Sequence, residues 1–85
     1  MKEFRYVIND PLGLHARPAG LLAKEAKKYQ SKITLTKDDK SATATQLLAI
    51  MGMAAKKGAT VLVSIEGQDE EAAYLAIHKF FQENL

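Results

Sequence analysis

One grouping in this chain has the makings of chemistry: a histidine with an arginine two positions on, in Pro11-Leu12-Gly13-Leu14-His15-Ala16-Arg17-Pro18-Ala19-Gly20. Pro11 and Gly13 punctuate the backbone. The residues before them alternate as in a strand and those after repeat at helical spacing, so His15 falls at or next to a helix N-cap. The first turn of a helix has N–H groups without intrahelical acceptors and the positive end of the macrodipole, a combination suited to an anion. Pro18 fits there, because its missing N–H lies where no helical bond would form. The dipole and the Arg17 guanidinium both disfavour imidazolium, which predicts a neutral ring with a free, nucleophilic lone pair. A phosphoryl group on that ring would meet the N–H groups and Arg17 as partners. Such charge-assisted hydrogen bonds are worth roughly 1.5–3 kcal/mol each. A histidine ahead of a helix is, taken alone, an ordinary capping or surface residue; its neighbours favour the chemical reading.

Other chemistries find little to work with. His78, the second of two histidines, falls opposite Ala73 and Phe80 on the last helix and reads as solvated surface. With no cysteine and no His-x-x-x-His spacing, no metal site is expected. No GxxxxGK[ST] or GxGxxG loop is present, and the scattered Ser and Thr have no adjacent base. The strands lack a paired aromatic motif, so nucleic acid is not an expected partner.

The elements that must position His15 follow from periodicity. Phe4, Tyr6 and Ile8 alternate with polar residues as in a half-buried strand, although Val7 interrupts the pattern. A helix from about Ala16 to Lys28 puts Ala19, Leu22, Ala23 and Ala26 on its core side, and Arg17, Gly20, Leu21, Lys24 and Lys28 on the other. Lys32 to Thr36 and Ser41 to Ala44, joined by the polar turn Lys37-Asp38-Asp39-Lys40, predict a hairpin. Gln46 to about Met53 is apolar almost all round, which a short helix cannot bury. Ile50 and Met53 are expected in the core, and Leu47, Leu48 and Met51 at a partner surface. Lys56-Lys57-Gly58 reads as the end of that helical region. Thr60 to Ile65 is a strand with Val61, Val63 and Ile65 inward. Asp69 is a candidate N-cap for a last helix whose core stripe is Ala73, Ile77 and Phe80, widened by Ala76 and Phe81.

The order is β-α-β-β-α-β-α. The economical packing is an α+β fold, one antiparallel sheet with helices on one face. The 85 residues make one domain, 1–85, which must fold on its core alone. A composition of 47% hydrophobic and 26% charged residues suits a compact soluble domain. No run approaches the roughly 18 apolar residues of a membrane span, and the first residues contain no apolar h-region. The chain is therefore read as cytoplasmic, without membrane insertion. A net charge of +2 is too small to argue for nucleic acid. Its distribution says more: Arg17, Lys24, Lys27 and Lys28 against Glu25 in the first helix suit acidic protein partners.

Gly-Leu-His-Ala-Arg-Pro-Ala, spanning Gly13 to Ala19, resembles the active-site motif of the HPr family, the histidine-containing phosphocarriers of the bacterial phosphoenolpyruvate:sugar phosphotransferase system. The likeness extends to the length, to Lys40-Ser41-Ala42-Thr43-Ala44 before an apolar helix, and to Glu66-Gly67-Gln68-Asp69-Glu70. It implies the HPr-like open-faced β-sandwich, βαββαβα, with a four-stranded antiparallel sheet. It implies phosphorylation of His15 at Nδ1 by Enzyme I and transfer to IIA domains of sugar permeases. Arg17 and the N–H groups of Ala16 and Arg17 would hold the phosphate. Gly20, Leu21, Lys24, Lys28, Leu47, Leu48 and Met51 would form the docking surface. The protein would then be a covalent intermediate and not an enzyme, a monomer that needs no cofactor. A regulatory module, in which phosphorylation of His15 changes affinity for transcriptional regulators or enzymes, is the alternative. Some relatives carry a regulatory serine at the start of the middle helix. This chain has Gln46, which cannot accept a phosphoryl group, so serine-type regulation is not expected.

Overall fold

The period of two in the strands and of 3.6 in the helices produces the expected order. The computed structural model describes residues 1–85 and runs β1 (Lys2–Val7), α1 (Ala16–Ala26), β2 (Lys32–Lys37), β3 (Lys40–Thr43), α2 (Leu47–Gly52), β4 (Thr60–Glu66) and α3 (Glu70–Asn84). The strands form a single antiparallel sheet in the order β1-β4-β2-β3. Val63 of β4 stands opposite Phe4 of β1 on one side and Leu35 of β2 on the other. That register sends Phe4, Ile33, Leu35, Val61, Val63 and Ile65 to one face, where all are buried. The helices close this face: Ala19, Leu22, Ala23 and Ala26 come from α1, Ile50 from α2, and Ala73, Ile77 and Phe81 from α3. A fully buried Leu or Ile stabilises such a core by roughly 1.5–3 kcal/mol relative to exposure.

The hairpin between β2 and β3 turns on Asp38 and Asp39, with Lys37 paired to Lys40 and Asp38 in the left-handed region at φ 56°. Aspartate tolerates that conformation better than most side chains.

Four expectations need correction. Helix α1 stops at Ala26, with Lys27 as its C-cap, so Lys28 lies in the following turn. Helix α2 does not run on toward Lys56-Lys57-Gly58; it ends at Gly52, and Ala54 takes φ 53°. The cause is tertiary, for Ala55 is buried and its carbonyl accepts the Leu14 N–H at 2.8 Å, which a continuing helix would prevent. In α3 the buried face centres on Ile77, with Ala73 and Phe81 about 40° to either side and Phe80 farther round. Phe81 is therefore the core aromatic and Phe80 is half-buried. Finally, His78 is not free surface. Its ring sits 4.7 Å from that of Phe4 and stacks on Tyr74 at 5.7 Å.

Asp69 occupies the N-cap position of α3 but does not cap its own helix. Its carboxylate accepts the N–H groups of Gln30 and Ser31, at 2.8 and 2.9 Å, and the Ser31 hydroxyl, tying α3 to the loop after α1.

Candidate functional site

Two pins hold the loop that delivers His15. On one side the N–H groups of Asn9 and Asp10 donate to the Leu85 carbonyl, at 2.6 and 2.9 Å. On the other, Leu14 is buried and its N–H reaches Ala55. Between them Gly13 adopts φ 68°, and a Cβ there would lie 2.4 Å from the Ala55 carbonyl oxygen. Only glycine permits both the left-handed turn and this approach.

His15 is the N-cap of α1, with extended backbone at φ −85° and ψ −174°, and its carbonyl accepts the first helical bond from Ala19 at 2.9 Å. Its imidazole makes no cap bond and is about one-third exposed. The N–H groups of Ala16 and Arg17 find no acceptor within the chain. Pro18, next along, has no N–H to satisfy and packs its ring into the protein. Arg17 is exposed, and no carboxylate pairs with its guanidinium. The helix thus begins with unused donors beside a partly exposed imidazole.

A shallow cleft of about 260 Å³ brings His15, Arg17, Pro18 and Leu21 together with Asp10, Glu83 and Asn84. The last three were not among the sequence candidates. Asp10 comes closest, with Oδ1 3.8 Å from His15 Nε2, and the same oxygen accepts the Leu12 N–H at 2.8 Å. An Asp two residues before an N–H in a Pro-Gly turn is a legible Asx-turn signal. Nothing local points to Glu83 and Asn84, which α3 brings from the far end of the chain.

Among the expected docking residues, Gly20, Lys24, Leu47 and Leu48 line a second hollow between α1 and α2, with Lys27, Thr45 and Gln46. Leu48 is 81% exposed, whereas Leu47 and Met51 are 39% exposed. A Cβ at Gly20 would meet open space, so no internal packing requires glycine there. Lys28 turns aside to pair with Glu25 at 3.0 Å. Ile50 and Met53 are buried, in agreement with the division of this helix into two faces. Gln46 is the N-cap of α2 and makes no side-chain cap bond. No helix is long and apolar enough to cross a membrane.

Fold and site together define a small open-sheet protein that presents one histidine at the start of a helix. The family model described as the PTS HPr component phosphorylation site matches residues 2–83. The chain belongs to the HPr family, the phosphocarrier proteins of the phosphotransferase system. It is similar to the phosphocarrier protein HPr of Mycoplasma capricolum subsp. capricolum, with 40% identity over 77 residues, spanning 91% of this chain and 86% of that protein. Among solved structures, HPr-C-His from Thermoanaerobacter tengcongensis superposes with a TM-score of 0.92 at 38% identity, covering 98% of this chain and 93% of that one. The Bacillus subtilis catabolite repression protein Crh, in a crystal described as a domain-swapped dimer, gives a TM-score of 0.77 at 30% identity, covering 100% and 98%.

Proposed function

We propose that this chain receives a phosphoryl group on Nδ1 of His15 from Enzyme I, itself charged by phosphoenolpyruvate, and passes it to IIA domains of sugar permeases. The observation that carries this reading is the His15 ring, about one-third exposed, at a helix start whose Ala16 and Arg17 N–H groups lack acceptors. Those donors and the unpaired Arg17 guanidinium are suited to three phosphoryl oxygens. A carrier must also release its cargo, and an open cleft suits that task better than a water-excluding pocket.

Leu21, Lys24 and Lys28 of the α1 side, with Gly20, Leu47, Leu48 and Met51, form the docking surface in this proposal. Exposed leucines surrounded by lysines fit an apolar partner patch with an acidic rim. The protein acts as a cytoplasmic monomer without a cofactor, as a covalent intermediate between two phosphotransferases. Gln46 makes it refractory to an ATP-dependent serine kinase acting at the start of α2. Stoichiometric phosphate anywhere in residues 41–48 after such treatment would contradict this.

The test is incubation of the purified chain with Enzyme I and phosphoenolpyruvate, followed by site mapping and addition of a IIA domain. Acid-labile phosphate on His15 that moves to the IIA domain is the expected result; an unlabelled His15 overturns the proposal. The similarity to Crh gives a second reading some weight. In it, phosphorylation of His15 switches affinity for transcriptional regulators or enzymes. Labelling without onward transfer would select it.

A further inference from the structure

A carboxylate, that of Asp10, faces the other ring nitrogen of His15. We propose that Asp10 is a positioning residue for His15: it keeps the ring proton on Nε2, so that Nδ1 presents its lone pair to the phosphoryl group. The inference rests on phosphoryl transfer through His15 and adds to it which atom of the ring is made ready.

The contact between Asp10 Oδ1 and His15 Nε2 is 3.8 Å, a Coulombic pairing and too long for a hydrogen bond. Catalytic contacts of this kind commonly tighten once substrate is bound. Asp10 itself is well anchored. Its Oδ1 accepts the Leu12 N–H at 2.8 Å, its carbonyl accepts the Gly13 N–H at 2.9 Å, and its own N–H donates to Leu85 at 2.9 Å. The carboxylate is therefore held by the loop that holds the histidine. The other charged groups lining the cleft are Arg17 on α1 and Glu83 on α3, with the neutral Asn84 beside it. Glu83 approaches Lys79 at 4.0 Å, whereas Asp10 is the carboxylate within ion-pair distance of the ring.

A neutral imidazole carries its proton on one nitrogen and offers the lone pair of the other. A carboxylate beside Nε2 favours the tautomer with the proton there. When Nδ1 attacks phosphorus, the bond from phosphorus to the donor atom that carried it breaks and its electron pair returns to that atom. A new P–N bond forms at Nδ1 while Nε2 keeps its proton, leaving a phosphorylated imidazolium whose positive charge faces Asp10. In onward transfer the P–Nδ1 bond breaks, the pair returns to Nδ1, and the ring leaves as neutral imidazole. No proton has to be found or lost in either direction. Arg17 serves the phosphoryl end of this arrangement and Asp10 the ring end.

The test compares the wild type with Asp10→Ala and Asp10→Asn by ring 15N chemical shifts of His15 in the neutral form, alongside the rate of phosphoryl transfer from Enzyme I. In the wild type the Nε2–H tautomer dominates. Asp10→Ala is expected to lower its population and to slow transfer about 10-fold or more. Asp10→Asn keeps an oxygen for the Leu12 N–H but removes the charge, so it should preserve the loop and still shift the tautomer. A wild-type tautomer ratio in Asp10→Asn overturns the proposal, whatever becomes of Asp10→Ala. So does a wild-type transfer rate in both. The two readings fail separately: a wild type that accepts no phosphate defeats the carrier role, whereas the ring shifts report on Asp10 without any transfer.

Discussion

Helices α1 and α3 begin alike and are used differently. Each has a polar N-cap residue, His15 or Asp69, whose side chain does not bond its own helix. Asp69 turns instead to Gln30 and Ser31 and closes a junction between residues 38 and 39 positions away. His15 turns toward the surface, and the first N–H groups of its helix remain without acceptors in the chain. The cap of α3 has been committed to holding the fold; that of α1 is left available to a visiting group. Unused donors are tolerable at α1 because they face water, whereas burying them unpaired would cost about 1–3 kcal/mol each.

Substitutions can break that contrast, and the largest effect is expected at His15. His15→Ala should abolish phosphoryl acceptance altogether, measured by acid-labile labelling, while thermal unfolding is nearly unchanged because the ring makes no hydrogen bond. Unfolding of this variant would instead make His15 a structural residue like Asp69. Arg17→Ala should come next, slowing transfer about 10²-fold in single-turnover measurements, the scale seen when one donor to a developing anion is removed. A rate equal to wild type would exclude the guanidinium from phosphate binding.

Asp69→Ala should show the reverse pattern, with phosphoryl acceptance kept and thermal unfolding lowered by several degrees. The Ser31 hydroxyl first, and the Gln30 N–H after it, hold the Asp69 carboxyl below its ordinary value of 3.8. Its contribution is therefore complete above pH 3.8 and is lost as pH falls through the lower folded value. Glu70, lowered by the amino terminus and the Gly67 N–H, acts in the same direction. Unfolding as a function of pH should show the acid loss of stability diminished in Asp69→Ala. An unchanged acid limb would mean that the junction contributes nothing.

The smallest effects sharpen the contrast within α2. Leu48→Ser should weaken partner binding roughly 10-fold while changing stability by no more than about 0.5 kcal/mol. Ile50→Ala, two residues away, should cost about 2–5 kcal/mol of stability through the cavity it leaves. Similar stability losses for both would remove the distinction between an outer and an inner face.

Much of this was legible in the residues because it is local. Alternation placed all four strands, the helical period separated Leu22 from Leu21 and Ile50 from Leu48, and Pro11, Gly13 and Pro18 located His15 at a helix start. Most of what departed from expectation did so for a common reason. The end of α2 depends on Ala55 reaching Leu14, the role of Asp69 on Ser31, the setting of His78 on Phe4, and the choice of Phe81 over Phe80 on the angle at which α3 meets the sheet. Each is a meeting of segments far apart in the chain, and such meetings leave no periodic trace.

The placing of His15 and Arg17 is thus set by the sequence itself, since one short turn and one helix start suffice to put them side by side. The company they keep was decided only by the tertiary structure. The pinning of the loop at Leu85 and Ala55 aims the Asp10 carboxylate at the ring, and the packing of α3 brings Glu83 and Asn84 to the same cleft. The physical reason is that backbone preference acts over a few residues, whereas the direction of a side chain toward a distant partner is fixed by packing.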